Sequence, residues 1–363
     1  MSERYDIAIV GAGIAGASLA AAIGARARVL LLEGEAQPGY HATGRSAAFW
    51  SETYGGPGIQ PLTTASGAAL RDGGYLDPLG AVHIGRAQDA AAIEALLADF
   101  ADTPVALDAV DPAGAIPGLR GDWTLAVSEP TCAYIDVARL HADYLAAARR
   151  AGATIVTAAM LASAARHGGA WQLAAADGRR FVAEVLVDAA GAWADRVAAL
   201  AGARAIGITP YRRTMVQLAT DPPAPAGMPF VVDISGAFYF KPEAGGKLWL
   251  SPHDEHRVDP QDVAPEEIDV AIAIDRFEHV VDWRVTRVER RWAGLRSFAP
   301  DRLPVYGADP MMPGFFWFAG QGGFGIQTAP AAAAIGAALL LGDTPPAGID
   351  IARYLPDRFA DAG

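Results

Sequence analysis

The residues best placed to do chemistry in this chain fall into three sets: a glycine-spaced turn near the start, arginines set among apolar neighbours, and a glycine-rich loop near the end. Gly11-Ala12-Gly13-Ile14-Ala15-Gly16 follows the short apolar run 7–10 and opens the small-residue run 15–23, which reads as strand, turn and helix. In a GxGxxG turn Gly11 allows the tight turn, Gly13 lets the backbone approach a pyrophosphate, and Gly16 lets helix and strand pack closely. The helix start then favours the phosphate charge. A second apolar run, 29–32, ends in Glu33, whose carboxylate can accept both hydroxyls of an adenosine ribose. That carboxylate disfavours a 2′-phosphate, so the turn reads as a site for FAD or NAD and not for NADP.

The glycine-rich loop decides between these two. Residues 316–330 run as an apolar strand, Gln321-Gly322-Gly323-Phe324-Gly325-Ile326-Gln327, and the start of an alanine-rich helix at 329–341. A helix start presents unpaired N–H groups and a positive dipole end, which suits the negative charge of a reduced flavin. No second GxGxxG occurs mid-chain, which excludes a two-nucleotide monooxygenase or disulfide reductase. Arg213 and Arg296 lie on expected strands among apolar neighbours, where a guanidinium is costly unless it meets an anion. A substrate carboxylate or a structural acid would serve equally. Arg212 alternates with Arg213 and is expected to face solvent.

The elements that must position these residues follow from hydrophobic period and turn chemistry. Helices are expected at 87–100, 136–152 and 268–280, strands at 154–157, 171–175, 180–187 and 285–292, and antiparallel strands across 211–250. The composite is α/β: a Rossmann-like domain from discontinuous segments 1–80, 136–206 and 297–363, with an antiparallel β-sheet domain from 81–135 and 207–296 inserted. With 52% hydrophobic and 19% charged residues, disorder is excluded. A net charge of −12 argues against nucleic acid or an anionic bilayer as the main partner. The single cysteine removes every CxxC and Cys-based zinc site and fits a reducing compartment. The βαβ reading of the first 33 residues leaves no export signal or membrane span, and a cytoplasmic location is expected. His253-Asp254-Glu255-His256 is read as a hydrophilic loop, so no metal is expected.

Four segments carry a resemblance. Residues 35–48 (EAQPGYHATGRSAA), Asp188-Ala189-Ala190-Gly191-Ala192-Trp193, Trp292-Ala293-Gly294-Leu295-Arg296-Ser297-Phe298 and the 321–327 loop together resemble the flavin-dependent D-amino acid oxidase superfamily, most specifically the bacterial catabolic D-arginine dehydrogenases. The likeness runs from about residue 5 to 341. It implies non-covalent FAD held by Gly11, Gly13, Ile14, Ala15, Gly16, Glu33, Gly34, Arg45, Ser46, Ala47, Gly191, Trp193, Gly322, Gly325 and Ile326. It also implies a substrate carboxylate held by Arg213, Arg296 and Tyr239, a mobile lid bearing Tyr54 before Gly55-Gly56-Pro57, and a pocket of Phe49, Ser51, Ala81, Phe230, Val232, Gly323 and Gln327. The Gly323 carbonyl would accept the substrate amine.

The departures from that family shape the expected substrate. Where the D-arginine enzymes carry an acid for the guanidinium, this chain has Ala81, and no acid occurs from 79 to 86. Phe49 replaces a histidine, and Phe230 is aromatic. The expected activity is hydride transfer from neutral, apolar or aromatic D-amino acids to flavin N5, giving imino acids and then 2-oxo acids, with Glu52 the one acid on the lid that could swing in. A secondary amine or imino acid, a 2-hydroxy acid, or a role as the flavin-carrying subunit of a complex are the alternatives. The electron acceptor, whether quinone, redox protein or O2, stays open.

Overall fold

The computed structural model describes residues 3–359, so the first two and last four positions of the expected nucleotide-binding segments lie outside the described residues. Arg4–Val10 pairs in parallel with Val29–Leu32 on one side and with Arg180–Asp188 on the other. Thr154–Val156 extends the first edge, and Phe315–Ala319 joins the second where Leu186 meets Phe315. These strands are apolar on both faces because packed elements cover both. Ile7, Ile9 and Leu31 pack with the helices Ile14–Ile23, Val137–Arg150 and Ala329–Leu341. Ala8, Val10, Leu30 and Leu32 pack on the other face with Ala194–Ala201 and the hairpin strands Leu161–His167 and Ala170–Ala175. The expected helix 329–341 stands at those bounds; 136–152 is Val137–Arg150, with Asp136 accepting from the Arg139 N–H at its start.

A second, ten-stranded sheet carries the arginines. Thr209–Asp221 pairs along its length with Arg284–Phe298, a strand longer than the expected 285–292 because its second half, Ala293 to Phe298, is buried and pairs with Thr209 to Thr214. Lys247–Ser251, Tyr239–Glu243 and Phe230–Asp233 follow in antiparallel order. Two corrections apply here. The sheet is not wholly antiparallel, since Phe230–Asp233 runs parallel to Ala81–Arg86. Arg212 does face away from Arg213, but it is buried rather than solvated, bonded to Asp269 at 2.7 Å and to Glu266. Among the described residues no helix is long and apolar enough to cross a membrane.

Candidate active site

A groove of about 690 Å³ runs from the Gly11 turn to the end of the strand bearing Arg296. Gly11 has φ +102°, and a Cβ there would overlap the Ala189 carbonyl; a Cβ at Gly16 would overlap the Gly11 carbonyl. The glycines therefore do what the motif reading requires: one makes the turn, the other lets the helix seat against it. Ile14 N–H donates to Thr43 Oγ1 at 3.0 Å, and Glu33 accepts from the Ala12 and Glu35 N–H groups at 2.9 Å each. A carboxylate has about four lone-pair sites, so two such bonds orient Glu33 and leave acceptors facing the groove.

Of the expected cofactor contacts, Gly11, Gly13, Ile14, Ala15, Glu33, Gly34, Ser46, Gly191, Trp193, Gly322, Gly325 and Ile326 line this groove. Gly16, Arg45 and Ala47 do not; Gly16 seats the helix against the Gly11 carbonyl beneath the turn. Arg45 turns to Asp262 at 2.5 Å and to the Val263 and Ala293 carbonyls at 3.0 and 3.3 Å, anchoring its loop to the second sheet. Ala47 packs with Ala81, Met215 and Phe230 behind the groove. Sequence reasoning missed Thr43, His41, whose ring meets Trp193 at 4.6 Å, and the 159–161 wall. Only the wall had no signal, since it lies one turn past a strand that carries no motif.

At the far end of the groove the second sheet presents Arg296; Arg213, on the same sheet face, and Tyr239, Tyr54, Phe49, Phe230 and Ala81 lie beyond the residues that line the groove. Arg296 is 7% exposed and lines the groove, and among the described residues no carboxylate pairs with it. Arg213 is 1% exposed; its Nε donates to the Asp254 carbonyl at 2.8 Å and its Nη2 to Glu255 at 2.9 Å, while Nη1 is buried with no partner. A buried guanidinium nitrogen without an acceptor is a costly state that an incoming carboxylate would relieve. Tyr239 is buried beside both: burial pushes its phenol up, opposed by Arg213 and Arg296, and its hydroxyl lies 3.2 Å from Met215 Sδ. His253 meets the Tyr239 ring at 5.4 Å, and burial, then Arg213, push its imidazole down to about 4.

Four rings gather next to these groups. Phe49 lies 4.6 Å from Phe230, 5.0 Å from Tyr54 and 6.0 Å from Tyr239, ring centre to ring centre. Ala81 pairs with Phe230 in the sheet and packs in the same cluster, and Val232 packs against it. The Tyr54 hydroxyl sits directly against Gly323. The Gln327 amide donates to the Ser51 and Tyr54 carbonyls and to Thr63 Oγ1, at 3.1, 3.2 and 2.8 Å, so it serves the loop and has no free amide proton for a ligand.

The acids near this end differ from expectation. Glu52 is 6% exposed and held by Thr64 Oγ1 at 2.5 Å and Thr131 Oγ1 at 2.9 Å, so it does not hang free on a lid. Glu129, which sequence reasoning passed over, stands opposite Ala81 across two antiparallel strands and therefore on the same face. Asp254, His256 and Asp269 bring ligand atoms within 4.8 Å of one another, but the Arg212 guanidinium already supplies the positive charge there.

The model for the DAO family, described as FAD dependent oxidoreductase, matches residues 6–339. Hydrogen cyanide synthase subunit HcnC of Pseudomonas aeruginosa is 27% identical over 222 residues, covering 61% of this chain and 52% of that protein. The mouse FAD-dependent oxidoreductase domain-containing protein 1 is 29% identical over 163 residues, 40% of this chain and 33% of its own length. The aligned stretch thus spans about half or less of these curated relatives. Among solved structures, glycine oxidase from Geobacillus kaustophilus superposes with a TM-score of 0.82 at 23% identity, over 98% of each chain. L-proline dehydrogenase from P. horikoshii superposes with a TM-score of 0.86 at 19% identity, over 100% of this chain and 99% of that one. These two similarities speak for the fold, and the family match over residues 6–339 goes further: the chain belongs to the DAO family of FAD-dependent oxidoreductases, with FAD as its cofactor.

Proposed function

We propose that this protein oxidises neutral, apolar D-amino acids at the carbon bearing nitrogen, giving imino acids that hydrolyse to 2-oxo acids and ammonia. The observation that carries the reading is the unpaired, buried Nη1 of Arg213 on the same sheet face as Arg296, a pair of positive groups without a second acid to satisfy them. FAD, held without a covalent bond by the Gly11 turn, Glu33 and the 322–326 loop, supplies the acceptor for the hydride. Arg213 and Arg296 bind and orient the carboxylate, with Tyr239 beside them. The Gly323 carbonyl accepts from the amine, and Tyr54, packed against Phe324 at 4.9 Å, helps to exclude water. Orientation of this kind supplies most of the acceleration when no side chain acts as a base.

The neutral side chain follows from Ala81, Phe49 and Phe230, which offer apolar surface and no acid. The D-configuration follows from the motif likeness to D-arginine dehydrogenases. Cys132, a buried free thiol, fits the cytoplasmic setting expected from the sequence. Because the P. aeruginosa relative is a synthase subunit, a second reading has the chain serve as a flavin-carrying subunit. The test is an anaerobic screen of D-, L- and N-methyl amino acids and 2-hydroxy acids against the FAD-loaded chain alone. D-leucine, D-methionine and D-phenylalanine should bleach the flavin. Bleaching confined to L-, N-methyl or hydroxy acids would replace the reading, and no bleaching by any of them would favour the subunit.

A further inference from the structure

Glu129 ends the strand Trp123–Glu129 with none of its surface exposed. A carboxylate so far from water needs donors at both oxygens. Oε1 accepts from the Glu52 N–H at 2.6 Å and the Thr53 N–H at 3.4 Å; Oε2 accepts from Thr53 Oγ1 at 2.6 Å and Ser51 Oγ at 2.9 Å, with His83 Nε2 3.3 Å away. One side chain therefore grips three consecutive residues. From the other side Gln327 accepts from the Ser51 N–H at 3.4 Å and donates to the Ser51 and Tyr54 carbonyls. The chain turns away only at Gly55 and Gly56, at φ +100° and +72°.

We propose that Glu129 is a positioning residue: its buried carboxylate fixes residues 51–53 and so holds Tyr54 as a static wall of the substrate site, where Gly55-Gly56-Pro57 suggests a hinged lid. This rests on the reading of Tyr54 as a substrate contact. The Tyr54 ring is set between Phe49 and Phe324, with its hydroxyl against Gly323. Releasing the Glu129 grip would let the ring drift, and displacements of about 1 Å at a reacting centre can cost about 100-fold in rate.

The test uses FAD-loaded wild type, Glu129→Gln, Thr53→Val, Tyr54→Ala and the Glu129→Gln/Tyr54→Ala double variant. Amide hydrogen exchange across 51–56 and kcat and KM for D-leucine are the readouts. Glu129→Gln should speed exchange in 51–56 and not in the helix Ala329–Leu341, and lower kcat/KM about 10- to 100-fold. In the Tyr54→Ala background it should cost nothing more. Unchanged exchange, unchanged kcat/KM, or a loss that multiplies with that of Tyr54→Ala would each overturn the proposal. Should Glu129→Gln fail to load FAD, Thr53→Val, which deletes one donor, decides by the same readouts. If no amino acid reduces the wild type, the substrate reading fails by itself, and exchange still decides whether the wall is fixed.

Discussion

Arg296 stands diagonally across the sheet from Arg213: Tyr211 pairs with Arg296 and Gly294 with Arg213, so both guanidinium groups rise from one face. Gly294 leaves room for Arg296 and Arg45: a Cβ there would lie tight against both, 3.0 Å from Arg296 Nη1 and 3.2 Å from Arg45 Cβ. Arg212, on the opposite face, has three acids within reach. The neighbouring arginines of one strand thus divide between a structural ion cluster and a face short of anions.

Arg213→Met and Arg296→Met should each weaken capture of the acid by about 2–5 kcal/mol in kcat/KM, the cost of truncating one side of a buried charge pair. Arg296→Met should leave stability nearly unchanged, since no protein acid loses a partner. Arg213→Met should also lower it, because Glu255 keeps only Arg302, at 2.8 Å. Steady-state kinetics beside thermal unfolding check both; wild-type kcat/KM in the two variants would refute the carboxylate clamp.

Side-chain selectivity should follow the apolar lining. A guanidinium beside Phe49, Phe230 and Ala81 loses hydration, and a cation–π contact of about 0.5–2 kcal/mol offsets only part of that. Glu129 shares the face but is saturated by donors, and Glu52 is held by two threonines. D-leucine, D-methionine and D-phenylalanine should therefore exceed D-arginine and D-lysine in kcat/KM, and Ala81→Glu should shift the ratio toward the cationic pair. D-arginine ranking first would show that one of these acids reaches the ligand.

His253 links pH to stability. Burial, then Arg213, lower its pKa from 6.5 to about 4, so between those values the unfolded chain binds a proton that the folded chain refuses. Its contribution is complete above pH 6.5 and is lost as pH falls toward 4. His253→Asn tolerates the φ of +55° and can still donate to the Gly236 carbonyl, but cannot titrate. From pH 7 to 5, denaturant unfolding should show the wild type losing on the order of 1–2 kcal/mol more than this variant. Equal losses would place the imidazole in an ordinary, hydrated setting.

Precipitating the holoprotein should release FAD into the supernatant. The single cysteine, Cys132, is buried in the cluster with Ala81 and Phe230 and is not among the residues that line the groove, so no thioether is expected. His41 lines the groove and is the residue to examine if yellow colour stays with the polypeptide.

The nucleotide half was legible because its signals are local. The Gly11 to Gly16 turn, the acidic strand end at Glu33 and the alanine-rich helix each depend on residues adjacent in sequence. What was illegible depends on pairing between distant strands. The resemblance places Ala81 and Phe230 in one pocket, and they pair in the sheet; that Glu129 stands on the other side of Ala81 no spacing in the 79–86 run could reveal. Alternation correctly separated Arg212 from Arg213, yet could not say that helix Glu267–Glu278 would cover the Arg212 face and supply Asp269. A glycine pair after Tyr54 suggested a hinge, while the residues that hold the loop still lie 76 and 276 positions away in Glu129 and Gln327.

The most direct measurement is a single anaerobic turnover of the FAD-loaded enzyme with D-leucine and, separately, L-leucine, following flavin absorbance and assaying the 2-oxo acid. The account predicts full bleaching by D-leucine with one 2-oxo acid per flavin, and no bleaching by L-leucine on the same timescale. Bleaching by L-leucine with D-leucine inert would contradict the assigned substrate.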